Sequence, residues 1–437
     1  MDQAFAGFKR TEVAGVPVLW LPDTRFKTFC IHLAARRTLD ERAAARSVLP
    51  VLLMQGTANY PDGPALARRM ESLYGAMVAP GSSKEGEVHV LRFGLDCVAG
   101  DYLPDRPDQL ADGLGFLAEF LAHPRLDGDG FPDEIFAREQ RQAVHDARSV
   151  FDDRGAYAAQ QSLARACEGE PMSIPEHGGV AAIEAMDRAM PEQARQDFLQ
   201  RGELLVMGMG ALPDDEQFLE RVAGFLDHLP DRQPEPVRKS IQREVQARRS
   251  SVERVDLQQS KMVLIFRLPM TDDPKVWMGR AVFSNMLGGG PHSRLFREVR
   301  EKRSLAYYAQ AALDRHKGLL TVNVGLDETA GTAVEEETLR QFAALASGDF
   351  TTEELATARA GILSSITSLT DTVRSHVRFV EDQWNLGLDR TPADLFESYE
   401  GVTAEQVASS VEGMQLDYSY LLAPSEVPAP SEPEIAR

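Results

Sequence analysis

In this chain of 437 residues, the side chains whose types and spacing could do chemistry gather in one run, Asn285 to Gln310. It reads Asn-Met-Leu-Gly-Gly-Gly-Pro-His-Ser-Arg-Leu-Phe-Arg-Glu-Val-Arg-Glu-Lys-Arg-Ser-Leu-Ala-Tyr-Tyr-Ala-Gln. The triplet Gly288, Gly289, Gly290 ends an apolar helix, a charged helix is predicted over 292–302, and an aromatic strand begins at Leu305. Glycine takes the positive φ that stops a helix and lets another chain pass close to the backbone, so the run reads as a peptide-handling corner. Arg300 offers a fork of donors for a peptide carbonyl or carboxylate, and the Tyr307 hydroxyl can hydrogen-bond an oxyanion. As an isolated pair they would be a surface arginine and a core tyrosine. Phe296 and Tyr308 read as packing residues.

Other chemistries are excluded by pattern. The triplet runs into Pro-His-Ser-Arg and not the Lys-Ser/Thr of a phosphate loop, and Ser293 breaks Gly-x-Gly-x-x-Gly. No Gly-x-Ser-x-Gly is present. The nine histidines are scattered, with neither His-x-x-Glu-His nor His-Glu-x-x-His anywhere, so His32, His89, His145 and His292 read as structural. The basic run Arg238, Lys239, Arg243, Arg248, Arg249 reads as a solvated charge run.

The glycine triplet, Ser293-Arg294-Leu295-Phe296 and Arg300-Glu301-Lys302-Arg303-Ser304-Leu305-Ala306-Tyr307 resemble the C-terminal half of the pitrilysin/insulinase family of zinc peptidases. The resemblance is strongest to its mitochondrial-processing-peptidase-like bacterial branch and extends over nearly the whole chain. In that family an Arg, followed seven residues later by a Tyr, reaches the bound peptide from the half without zinc; the resemblance places this pair on Arg300 and Tyr307. Members that cut peptides carry His-x-x-Glu-His on the first helix, which sets two imidazoles on one face and a carboxylate beside the metal-bound water. A Gly-Thr closely follows. With Gly56-Thr57 as that pair, the motif positions hold Ser47, Val48, Leu49, Pro50 and Val51. Both histidines and the general base are gone, and the family's third ligand falls near Asp146. Ser47 and Val51 do not ligate zinc and Pro50 cannot activate water, so no metal is expected in this chain.

The elements that must position these residues follow from periodicity. Strands are predicted over 16–21 and 29–34, joined through Pro22-Asp23 as a hairpin, then helices over 40–54 and 64–74 and strands over 76–80 and 87–96. Leu110, Leu114, Leu117 and Leu121 give one apolar helical face; helices over 132–150, 156–166 and 191–200, a strand over 203–209 and a helix over 214–228 follow. Residues 230–246, with three prolines, read as a linker. The second half repeats the order: strands 252–255 and 262–268, helix 274–287, strands 305–313 and 318–326, helices 333–346, 352–369 and 373–385, strand 418–422. Thr351-x-x-Glu354 and Thr403-x-x-Gln406 fit capping boxes. Val90-Leu91-Arg92-Phe93-Gly94-Leu95-Asp96 resembles Thr321-Val322-Asn323-Val324-Gly325-Leu326-Asp327 at an offset of 231, and near that offset Leu73-Tyr74 faces Ala306-Tyr307. The fold class is α+β: two tandem duplicated units, each a sheet with helices packed on it. The divisions are 1–229, a linker 230–246, 247–423, and a tail over 424–437 whose Pro, Ser and Glu predict disorder.

Length suggests more than one domain, and 43 % apolar with 26 % charged residues is a globular composition. A formal charge of -20 argues against nucleic acid, which needs an excess of Lys and Arg, and leaves basic peptides as ligands. Cys30, Cys97 and Cys167 read as buried free thiols of a reducing compartment. With no signal-like start and no apolar run long enough to span a bilayer, a cytoplasmic location is expected.

The resemblance implies a half-clam built to face a second one. This chain then supplies the substrate-binding half of a heterodimeric zinc peptidase, a paralogous partner bearing the zinc and Arg300 and Tyr307 entering the partner's site. The alternative is an inactive peptide-binding or scaffold homodimer. A third reading is a peptidase with a metal site near Asp146.

Overall fold

The computed structural model describes residues 4–238, 240 and 243–425. Lys239 of the basic run, part of the linker, and all of the tail beyond Ser425 lie outside the described residues. In chain order the strands are β1 (Ala4–Phe5), β2 (Phe8–Val13), β3 (Val16–Pro22), β4 (Thr28–Thr38), β5 (Met77–Glu85), β6 (Val88–Val98), β7 (Glu203–Gly210), β8 (Arg249–Val255), β9 (Ser260–Arg267), β10 (Ala306–Asp314), β11 (Leu319–Leu326) and β12 (Gln415–Pro424). The α-helices are α1 (Ala43–Leu53), α2 (Gly63–Ser72), α3 (Gln109–Ala122), α4 (Asp133–Ser149), α5 (Arg154–Ala166), α6 (Val180–Glu184), α7 (Met190–Arg201), α8 (Asp215–Leu226), α9 (Pro274–Gly288), α10 (Gly331–Ala346), α11 (Thr352–Thr367), α12 (Val373–Leu386), α13 (Pro392–Glu400) and α14 (Ala404–Ser409). Among the described residues no helix is long and apolar enough to cross a membrane.

Two sheets carry the duplication. The first has the order β1-β2-β3-β7-β4-β6-β5 and the second β10-β11-β9-β12-β8. Written from its parallel pair, the second runs β8-β12-β9-β11-β10 and matches β3-β7-β4-β6-β5 strand for strand. The senses match as well: β3 is parallel to β7 and β8 to β12, while every other pair is antiparallel. The duplicated α+β unit read from the sequence holds. The hairpin read between 16–21 and 29–34 does not: β7 lies between β3 and β4, and the hairpin is β2–β3, turned through Ala14 and Gly15, both at positive φ.

The compact units are discontinuous in sequence. One comprises 1–149, 169–241 and 363–400, the other 150–168, 242–362 and 401–437. The division thus differs from the contiguous halves above by an exchange of segments. Residues 363–400 join the first unit because α12 buries Val377, Phe379 and Val380 against Leu19, Leu205, Met207 and Met209 of its sheet. Period-two alternation sends Val18, Trp20, Ile31, Leu33, Leu91, Phe93 and Val206 to the opposite face, under α1, α3, α7 and α8. His32 and Arg92 share the α12 face, where His32 Nε2 meets Glu381 Oε2 at 2.8 Å and Arg92 Nε donates to Glu381 Oε1 at 2.6 Å. Burial would push the Glu381 carboxyl up, but these bonds hold it down to about 2.

Residues 150–168 join the second unit because α5 packs on β9 and β12. Tyr157 Oη donates to Glu253 at 2.7 Å, and the carbonyl of Ala166 at the helix end accepts from Arg249 at 2.7 Å and Arg267 at 3.0 Å. Both capping boxes form, with Glu354 N donating to Thr351 Oγ1 at 3.1 Å and Thr351 N to Glu354 Oε2 at 2.9 Å. Cys30, Cys97 and Cys167 are buried and form no disulfide among the described residues.

Candidate functional site

In the first unit three of the five positions of the missing zinc motif line a cleft of about 350 Å³. Ser47, Val48 and Val51 of α1 face Glu139, Gln142 and Asp146 of α4, Ser82 of β5, and Glu176 and His177. The helix is held by Arg46, which is fully buried and donates to Thr38 O at 2.9 Å and Asp197 Oδ2 at 3.2 Å. The segment bearing His177 is held by Lys84 Nζ, on the carbonyls of Met172 at 2.5 Å and Ile174 at 2.7 Å. Gly178 then takes φ +72 and passes so close to α1 that a Cβ would lie 2.5 Å from Ala44 N. Pro50 is buried inside α1, and Gly56-Thr57 follow the helix end.

Zinc does not fit the donors this cleft offers. The Ser47 hydroxyl donates to Ala44 O at 2.9 Å and Val51 has no donor atom. Asp146 accepts from Gln142 at 2.7 Å, and His177 Nδ1 accepts the N–H of Gly179 at 3.1 Å. Burial lowers the His177 pKa, which favours the neutral ring, and its Nε2 is buried without a partner among the described residues. Among the described residues no three His, Cys, Asp or Glu donors of this cleft approach closely enough for one ion. A structural zinc would demand four such donors and a catalytic zinc three. Asp146 thus stands where the third ligand was expected, opposite two positions that cannot ligate. Glu139, Glu176 and His177 were missed by sequence reasoning. For the last two only the Gly178-Gly179 pair beside them, the mark of a tight turn, could have drawn notice.

The second unit holds the other expected residues. α9 ends at Gly288, where an added Cβ would sit 2.3 Å from Ala311 N, so this glycine lets the helix end lie against β10. Gly289 caps the helix, donating its N–H to Asn285 O at 2.8 Å, and Gly290 opens the turn that follows. The charged helix is largely π-helical, Phe296–Lys302, with Val299 buried as its anchor. Its cations divide sharply. Arg294 and Arg297 pair with Glu354 at 2.5 and 3.2 Å, Lys302 with Glu298 at 2.7 Å, and Arg303 with Glu337 at 3.1 Å. Arg300 is exposed, makes no ion pair among the described residues, and rests on the Phe296 ring, 4.5 Å from its centroid.

A serine at positive φ, Ser304, then turns the chain into β10. Ala306 pairs with Leu326 and Tyr308 with Gly325, so Tyr307 is the extra residue of a β-bulge. Tyr308 packs onto the bare Gly325, where a Cβ would lie 2.3 Å from its ring. Tyr307 is thrown outward, 48 % exposed, and its hydroxyl donates to Asp327 Oδ1 at 2.8 Å, which raises the phenol's pKa. The facing of Tyr74 with Tyr307 read from the repeat is corrected by this register. In the first unit Val78 opposes Leu95 and Ala79 opposes Gly94 with nothing between them. Tyr307 therefore has no counterpart there, and Tyr74 sits before β5 at φ +55. Asp327 was missed as a functional residue, although it ends the repeated heptapeptide quoted above.

Residues 193–362 match the family model described as "Peptidase M16 inactive domain". The chain is 28 % identical over 420 residues to a "probable inactive metalloprotease" of Bacillus subtilis (strain 168), covering 92 % of this chain and 94 % of that protein. It is 25 % identical over 309 residues, 68 % of each chain, to an "uncharacterized zinc protease" of Mycobacterium tuberculosis. Among solved structures, a conserved protein from Enterococcus faecalis V583 superposes with a TM-score of 0.90 at 23 % identity, covering 96 % of this chain and 99 % of that one. A peptidase M16 inactive domain from Pseudomonas fluorescens gives 0.78 at 19 % identity, covering 97 % and 100 %. The two structures share its fold.

Proposed function

We propose, from the premise that this chain belongs to the M16 (pitrilysin/insulinase) family and carries that family's inactive domain over residues 193–362, that it is the non-catalytic, substrate-binding subunit of a heterodimeric zinc metallopeptidase acting on peptides. Zinc and general base come from a paralogous partner chain in the cytoplasm, and no nucleic acid or membrane is involved. Arg300 and Tyr307 then hold the peptide and assist the transition state in the partner's site. The observation that carries this reading is the contrast within 294–303: four cations are paired with Glu298, Glu337 and Glu354, while Arg300 is left exposed with a hydroxyl-bearing bulge residue close behind it in sequence. A guanidinium kept out of structural ion pairs retains its donors for a ligand. Ser47 and Val51 bring no zinc ligand to the cleft they line, and Pro50, buried inside α1, cannot serve as a base, which supports the non-catalytic half of the reading.

The test is to mix this chain with the paralogue that bears His-x-x-Glu-His and follow cleavage of fluorescein-labelled casein. Activity is expected from the mixture and from neither chain alone. Tyr307→Phe should lower it by about a hundredfold or more if the hydroxyl serves a developing oxyanion. Unchanged cleavage with both Tyr307→Phe and Arg300→Ala would remove both residues from the site. An inactive peptide-binding homodimer predicts instead casein binding without hydrolysis in every mixture.

A further inference from the structure

The duplicated unit supplies an internal control for the surroundings of Tyr307. Asp96 and Asp327 occupy the same place, each ending the matched heptapeptide directly after its Gly-Leu. In the first unit Asp96 opposes Met77 in the ladder, and its carboxylate takes the guanidinium of Arg374 on α12. In the second unit the strand opposite carries one more residue, Tyr307, and the hydroxyl of that residue is what Asp327 accepts. The two copies thus keep the carboxylate and change its partner, and the change coincides with the bulge. A bulge re-aims a side chain but does not fix its rotamer, and an exposed tyrosine ring is otherwise free to turn about its two side-chain torsions.

We infer that Asp327 is the positioning residue of Tyr307, holding the outward ring in one orientation through the hydroxyl hydrogen bond. The consequence for a ligand is specific. The phenol's only proton is committed to Asp327, so an arriving peptide meets a preoriented ring and an acceptor oxygen, and gains the proton only when Asp327 gives it up. Because Asp327 is itself exposed, water replaces that bond at small cost and the hand-over needs no rearrangement of the strand. The ligand side of this inference rests on the reading of Tyr307 as a peptide contact; the Asp327–Tyr307 link does not.

Ultraviolet difference titration, with Tyr307→Phe subtracted to isolate the one phenol, tests the link in the full chain. Asp327→Asn removes the charge but keeps an acceptor oxygen, and Asp327→Ala removes both. The Tyr307 titration should fall toward the ordinary phenol range in both variants. Fluorine resonance of 3-fluorotyrosine at this position should stay sharp and wild-type-like in Asp327→Asn and become averaged in Asp327→Ala. A titration unchanged in both variants overturns the inference. Should Asp327→Ala fail to fold, Asp327→Asn decides alone. Binding of fluorescein-labelled casein should weaken severalfold in Asp327→Ala and recover in Asp327→Asn. If the titration moves while casein binding ignores even Tyr307→Phe, the positioning role stands and the peptide role of Tyr307 falls.

Discussion

Replacing His89 by Leu should remove a large part of the acid sensitivity of the first unit. His89 lies on β6, on the face that α1 and α7 cover, with no exposed surface and with both ring nitrogens unpartnered among the described residues. Its nearest aromatic neighbour is Phe198 of α7, edge-on at 6.4 Å between centroids. Burial first, and then the charges of Arg46, Lys84 and Arg92, lower its pKa to about 3 from the ordinary 6.5. The folded ring is therefore neutral where the unfolded one is protonated, and the unfolded chain takes the proton first as pH falls. Stability is lost below about pH 6.5 and the loss levels off below about pH 3. Proton linkage puts the cost of this ring at about 0.2 kcal/mol at about pH 7 and about 2 kcal/mol at about pH 5. Urea unfolding followed by tryptophan fluorescence measures it. In a Trp277→Phe background the remaining tryptophans, Trp20 and Trp384, both belong to the first unit. Wild type should lose about 2 kcal/mol more than His89→Leu between these two pH values, and at the higher pH the variant should be no less stable, because an unpaired polar ring has been exchanged for an apolar group of similar size. His177 and His376, also lowered by burial, titrate equally in both proteins and cancel. Equal losses in the two proteins would refute the buried neutral imidazole, and with it the assignment of His89 to packing.

Two further outcomes follow from the site geometry. The triple variant Ser47→His, Pro50→Glu, Val51→His puts imidazoles at two cleft-lining positions one helical turn apart, opposite Asp146, and should acquire about one zinc per chain by metal analysis where wild type holds less. A folded variant that still takes up no zinc would show that α1 does not occupy the place of the metal-bearing helix. Gly288→Ala drives a Cβ into the backbone of Ala311 and should destabilise the second unit by about 1–3 kcal/mol, read as a lower melting temperature from Trp277. An unchanged melt would mean that the glycine is kept for some reason other than the approach of α9 to β10.

Local pattern was enough to locate most strands and helices, and the repeated heptapeptide located the duplication, because alternation and helical spacing are set by each segment's own burial. Pairing was not legible in the same way. β7 enters between β3 and β4 from far along the chain, parallel to the first and antiparallel to the second, and such an insertion leaves no mark on the two strands it separates. The exchange of 150–168 and 363–400 between units escaped for a related reason: an amphipathic helix declares that it buries a face, never which sheet receives it. At the candidate site, residue identity made Arg300 a candidate, but its freedom depended on Glu354, Glu298 and Glu337 taking its neighbours, a fact of tertiary contact.

Tyr307 is the sharper case. In sequence Ala306-Tyr307-Tyr308 continues a strand, and only the pairing of Tyr308 with Gly325 reveals the inserted residue. Asp327, by contrast, was available to a reader willing to use the repeat as a control. Residues that match across the two copies, such as Gly94 with Gly325, answer to the shared sheet, whereas a feature present in one copy alone answers to something that copy does. By that measure the bulge at Tyr307 and the partner of the repeated aspartate, a guanidinium on Asp96 but the Tyr307 hydroxyl on Asp327, mark the second unit's outer strand as more than a structural edge.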